Sequence, residues 1–186
     1  PGPVHVRQRL AVAARHARHG VDFVLLVEQR HEDVFVVSRP ALGIGVPRLA
    51  GGAFPVLLGG DHYCTYPSFL GVSNALGADV GVVQLDAHTD TVGDSSLYGK
   101  HFNGSPMARI AESRHGDYGT HAMVGIRGYE DGDFAEMADS EGIHVAYIDD
   151  VRERGIEACV RSAVERVADR VDHVYLTVDI DVVDPA

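Results

Sequence analysis

The sequence predicts an α/β protein: a mainly parallel sheet with helices on both faces, with residues 1–186 forming a single domain. Three observations predict it. Short β-branched runs alternate with stretches of helical spacing along the chain, the pattern that βα units produce. No linker, low-complexity segment or internal repeat interrupts them. Three of the strand-like runs end in clustered acidic and histidine residues, "GGDH", "DAHTD" and "DID", and the carboxyl ends of strands are the functional edge of an open parallel sheet.

The elements follow in order. Residues 4–20, "VHVRQRLAVAARHARHG", have helical spacing and a glycine stop at Gly20. "VDFVLLV" (21–27) and "VFVVS" (34–38) read as strands, and the Gly- and Pro-rich residues 39–54 as loop. "FPVLLGGDH" (54–62) is a buried strand running into a glycine turn, and "YPSFLGVSNALG" (66–77) a helix stopped by Gly77. "DVGVVQLDAH" (79–88) is a buried strand followed by a polar loop through Gly104, and "SPMARIAES" (105–113) starts a helix with Pro106 in its first turn. "HAMVGIRG" (121–128) is strand, "EDGDFAEMADSEG" (130–142) helix and "IHVAYID" (143–149) strand. Residues 152–169 read as one long amphipathic helix, and "DHVYLTVDID" (172–181) as the closing strand.

Composition narrows the function. With 45% hydrophobic and 23% charged residues the chain is an ordinary globular one. A net charge of −11 disfavours nucleic acid and anionic membrane surfaces and suits a cationic substrate. Cys64 and Cys159 are the only cysteines, so no disulfide framework is implied. No apolar run is long enough to span a bilayer, and the opening "PGPVHVRQ" lacks a signal-peptide core; a cytoplasmic location is the expectation.

The chemistry lies in the three strand ends. Alternate residues of a strand face one side, so Asp179 and Asp181 are expected side by side. Like charges that close repel unless a cation lies between them. A parallel sheet brings His62, Asp86, His88, Asp90, Asp179 and Asp181 to the same rim. This oxygen and nitrogen donor set, without thiolates, suits Mn²⁺ or a similar divalent ion. Six ligands exceed what one ion needs, whereas two ions sharing carboxylates use them all. Taken singly, each motif reads better as a turn, a packed histidine or a polar loop.

Together, "GGDH", "DAHTD" and "VDIDVVDPA" resemble the signature blocks of the ureohydrolase family of arginases, agmatinases and guanidinobutyrases, over about residues 55–186. The resemblance implies a three-layer α/β/α arginase-like fold, a binuclear manganese centre and hydrolysis of a guanidino group to urea by a hydroxide bridging the ions. It implies that His62, Asp86, Asp90 and Asp179 hold one ion. His88, Asp86, Asp179 and Asp181 would hold the other, and Asp90 would also move a proton to the leaving amine. Asp61 and Thr89 are candidates for orienting the ligands, though both also suit turns. A homo-oligomer, trimer or hexamer, is implied as well.

The chain departs from the family pattern at several points. Where members carry a proton-shuttling histidine before Gly-Ser, this chain has Asn103, with His101 two residues earlier. Either His101 reaches in, or the shuttle is absent. Thr91-Val92 replaces the Ile-Asn of arginases, which favours an agmatine-like substrate without an α-amino-acid head. The family's N-terminal Gly-rich block is not visible in residues 1–54, and its Gly-Thr-Pro-Glu stretch after "DPA" is absent, so an incomplete domain is expected. A guanidinobutyrase or formimidoylglutamase activity, or a catalytically impaired metal-binding relative, are the alternatives. In "MVGIRGYED", Arg127 and Glu130 read as part of a solvated turn after a buried strand in preference to an approach to the site or to a subunit contact, and Cys64 as a small core residue.

Overall fold

The computed structural model describes residues 56–128 and 133–183 in full, together with the backbone of 22–28. The helix expected over 4–20, the strand over 34–38 and the loop over 39–54 lie outside the described residues, as does Glu130. Six strands form one sheet: β1 (Asp22–Glu28), β2 (Val56–Gly59), β3 (Val80–Leu85), β4 (His121–Ile126), β5 (His144–Tyr147) and β6 (His173–Val178). Their order is β2-β1-β6-β3-β4-β5, and every pairing is parallel. Five helices are described: α1 (Thr65–Leu76), α2 (Pro106–Ala111), α3 (Phe134–Glu141), α4 (Ile148–Arg154) and α5 (Ile156–Ala168).

The period-2 alternation of the strands divides the core into two layers. Val80, Val82, Met123 and Tyr175 pack with Phe69 and Val72 of α1, Met107 and Ile110 of α2, and Phe134 of α3. Their sequence neighbours Val83, Ala122, Val124 and Val174 face the other way, onto Cys159, Ala163 and Val167 of α5. Apolar side chains on both faces explain why β3 and β4 read as continuous hydrophobic runs. As expected, α1 ends at Gly77, whose φ of 63° suits a residue without a Cβ.

Three expected elements differ. The helix expected over 152–169 is two helices, broken at Gly155, whose φ of 83° and ψ of 149° lie outside the helical region. The first begins before Arg152, because the Asp150 carboxylate accepts the Tyr147 N–H at 2.9 Å and starts a helix where strand was expected to continue. The closing strand ends at Val178 rather than Asp181. There the Asp179 side chain accepts the Asp181 N–H at 2.9 Å and closes a 3-10 turn over Ile180–Val182. A local side-chain bond has won over the ladder, so Asp179 and Asp181 do not share a strand face.

Candidate metal centre

The carboxyl ends of β2, β3 and β6 open onto one rim. His62 is in the 3-10 turn after β2, Asp86 to Asp90 follow β3, and Asp179 to Asp181 follow β6. A cavity of about 280 Å³ is lined by His62, His88, Asp90, Asp179 and Asp181, with Val92, Phe102 and Asn103 on its wall. Asp86 lies buried beneath it. All six expected ligands therefore converge.

His62 is the hub of the inner part. Its Nδ1 lies 2.7 Å from Asp90 Oδ2, 3.0 Å from Asp86 Oδ2 and 3.6 Å from Asp179 Oδ2. On its far side Nε2 is 2.9 Å from Thr177 Oγ1, which in turn is 3.0 Å from Thr65 Oγ1. With Nε2–H donated to Thr177, the Nδ1 lone pair is left for a cation. The outer part is built on His88, whose Nδ1 is 3.0 Å from Asp181 Oδ2 and 3.7 Å from Asp86 Oδ1. Asp86 is fixed between the two: it accepts the His88 N–H at 2.8 Å and the Gln84 amide at 2.7 Å. Asp181 accepts the Ala87 N–H at 3.1 Å.

The titration of these groups reflects their crowding. Burial opposes the charged His62 ring, but the Asp86 and Asp90 carboxylates outweigh it and lift the pKa to about 11. Burial alone would raise Asp86, yet its bonds to His62 and His88 hold it well below the usual carboxylate range. The Asp86 hydrogen bond leads in raising His88 to about 9. Burial, joined by the Asp86 and Asp179 charges, raises Asp90 to about 6.

The donor set fits divalent ions. His62, Asp86 and Asp179 can each place one ligand atom within 4.8 Å of the others, and so can Asp86, His88 and Asp181. The two groups share Asp86. No lysine or arginine is among the described residues lining the cavity.

Other expected residues fall as follows. Asn103 is on the cavity wall, whereas His101 is exposed and hydrogen-bonded through Nδ1 to Tyr63 Oη, outside it. Asp61 is exposed and accepts the Tyr63 N–H, shaping the turn that presents His62. Thr89 is buried and bonded to Thr91 Oγ1. Cys64 packs against the core. Asp90, with a φ of 54°, holds a left-handed backbone that few non-glycine residues other than Asp or Asn adopt readily. Sequence reasoning missed Gln84 and Thr177, which orient Asp86 and His62. Their signal was present: each is two residues before a ligand on a strand, hence on the same side.

The Arginase family profile matches residues 41–186. Formimidoylglutamase of Halalkalibacterium halodurans is 34% identical over 71% of this chain and 41% of its own length. The mitochondrial agmatinase of Gallus gallus is 33% identical over 74% of this chain and 40% of its own. Among solved structures, formimidoylglutamase from Bacillus subtilis superposes with a TM-score of 0.67 at 23% identity, covering 77% of this chain and 45% of that one. The chain thus spans about two fifths of the length of the curated relatives it matches.

Proposed function

The chain belongs to the arginase family, and we propose that it carries the metal centre of a hydrolase that cleaves a C–N bond of a small guanidino compound resembling agmatine, releasing urea. One observation carries this reading: three carboxylates and two imidazoles form two groups that share Asp86, and Asp90 lines the same cavity. His62, Asp86, Asp90 and Asp179 would hold one ion and His88, Asp86, Asp179 and Asp181 the other, manganese being a divalent ion that a carboxylate-rich set of this kind accommodates. When bound, two such ions supply the Lewis acidity that lets water act as a nucleophile at neutral pH.

The protein's own groups do the rest. Asp90, which lines the cavity, is the carboxylate that would take a proton from the attacking water and return it to the leaving nitrogen. Val92 offers the cavity an apolar side chain where a hydrogen-bonding group would be needed to hold an amino-acid head. The described lining carries carboxylates and no lysine or arginine, which suits a cationic substrate.

A second reading is favoured by Asn103. An amide cannot carry a proton at neutral pH, and it stands on the cavity wall while His101 is held at Tyr63. A formimino substrate, hydrolysed to formamide, is the alternative. The test is a substrate panel on the manganese-loaded full-length protein, following urea and formamide. Urea from agmatine or guanidinobutyrate faster than from arginine is the expected result. Formamide from formimidoylglutamate as the dominant activity would move the assignment to the second reading, and arginine as the best substrate would overturn both.

A further inference from the structure

We propose that Arg127 is a positioning residue that clamps the turn bearing Asp181, and so holds the outer half of the metal centre. The inference rests on the two-ion reading above. The turn over Ile180–Val182 has little regular structure to hold it. Its amides bond locally, Asp181 N–H to Asp179 Oδ1, Val182 N–H to Asp179 O at 3.1 Å and Val183 N–H to Ile180 O at 3.2 Å. Three successive carbonyls, those of Asp181, Val182 and Val183, accept from one guanidinium.

Arg127 Nη1 donates to Val182 O at 3.1 Å and to Gly125 O at 3.3 Å, while Nη2 donates to Asp181 O and to Val183 O at 3.2 Å. Four of the five guanidinium N–H groups are thereby spent on main-chain oxygens of β4 and of the turn. Only a planar fork spans that arc; the point charge of a lysine does not.

The segment around Arg127 supports the same half of the site. The Arg127 and Gly128 amides both donate to Ala87 O, at 2.9 and 2.7 Å, fixing the residue between Asp86 and His88. Gly125, at a φ of 98°, lets β4 approach the turn, since a Cβ there would lie 2.9 Å from Val182 Cγ2 and 3.1 Å from Asp86 O. A Cβ on Gly128 would lie 2.7 Å from His88 Cδ2. "GIRG" is thus a cradle for His88 and the Asp181 turn, and none of these contacts reaches His62 or Asp90.

The test is Arg127→Lys in the full-length protein, read by manganese titration calorimetry and by amide exchange of the metal-free form. The parent should take up two ions. The variant should keep one ion at parental affinity, bind the other about 10–100-fold more weakly, and lose protection at the amides of 181–183. Two ions at parental affinities, or an equal loss at both, would overturn the clamp, since general destabilisation does not discriminate between halves. If the parent binds fewer than two ions, the two-ion reading itself fails, and amide exchange alone decides: faster exchange confined to the turn supports the clamp and unchanged exchange refutes it. Should the lysine variant not fold, Gly128→Ala carries the same expectation through His88, and undiminished binding of the second ion there refutes the cradle.

Discussion

The inner and outer halves of the site use the same chemistry but rest on different supports. The His62 and Asp86 side chains are 3% and 1% exposed, whereas those of His88 and Asp181 are 51% and 20% exposed. The inner half is tied to side chains that point from the sheet, Thr177 under His62 and Gln84 under Asp86, and these two stand opposite each other in the β3–β6 register. The outer half is tied to main chain, through the Ala87 amide and the Arg127 clamp on the turn. A ligand held by the core inherits the rigidity of the fold. One held by loop backbone can loosen while the fold stays intact.

That contrast can be broken or sharpened by substitution. The largest effect is expected from Asp86→Asn, because Asp86 belongs to both ligand groups. Both ions should bind far more weakly than the about 10–100-fold loss typical of an outer-shell change, and manganese counted by elemental analysis after gel filtration should approach zero. His88→Gln should remove one ion only. Because His88 is half exposed, unfolding in urea should shift by no more than about 0.5 kcal/mol.

A smaller effect on metal but a larger one on the fold is expected at Thr177. Thr177→Val leaves His62 Nε2 buried without its partner, which costs about 1–3 kcal/mol and weakens the inner ion by about 10–100-fold. Thr177→Ser, which keeps the hydroxyl, should restore most of both. If serine fails to rescue in either the melt or the titration, the hydroxyl is not what orients His62.

The smallest effect on the metal centre concerns the opposite end of the sheet. His121 is as buried as His62 but has no hydrogen-bond partner among the described residues at either ring nitrogen, and burial pushes its pKa down from 6.5 to about 3. The unfolded chain therefore binds this proton more readily than the folded one. The stability that the neutral ring preserves is complete above pH 6.5 and is lost as the pH falls from there toward 3. His121→Phe removes the titrating ring, so urea melts at about pH 4 and about pH 7 should differ less for it than for the parent. Manganese binding at neutral pH should not change.

Much of this was legible in the sequence, for reasons that particular residues make plain. The six candidate ligands lie just past the ends of apolar runs, and a parallel sheet puts such ends on one edge whatever the strand order. Of the supporting side chains, Gln84 carried a local signal two residues before Asp86, whereas the partnership of Thr177 with His62 spans 115 residues and no local pattern encodes it. Arg127 was read as belonging to a solvated turn, since its partners are carbonyls 54 to 56 residues away. The closing strand was read too long because "DID" continues a period of two, while Asp179 in fact captures the Asp181 amide. The long helix was read as unbroken because the apolar spacing continues past Gly155, whose backbone is not helical.

The number and place of the bound ions test the two-ion centre most directly. Crystals of the full-length protein grown with manganese, measured on both sides of the manganese absorption edge, locate them without reference to activity. The account predicts two anomalous peaks, one among His62, Asp86 and Asp179 and one among Asp86, His88 and Asp181. A single peak, or peaks away from these side chains, would contradict it.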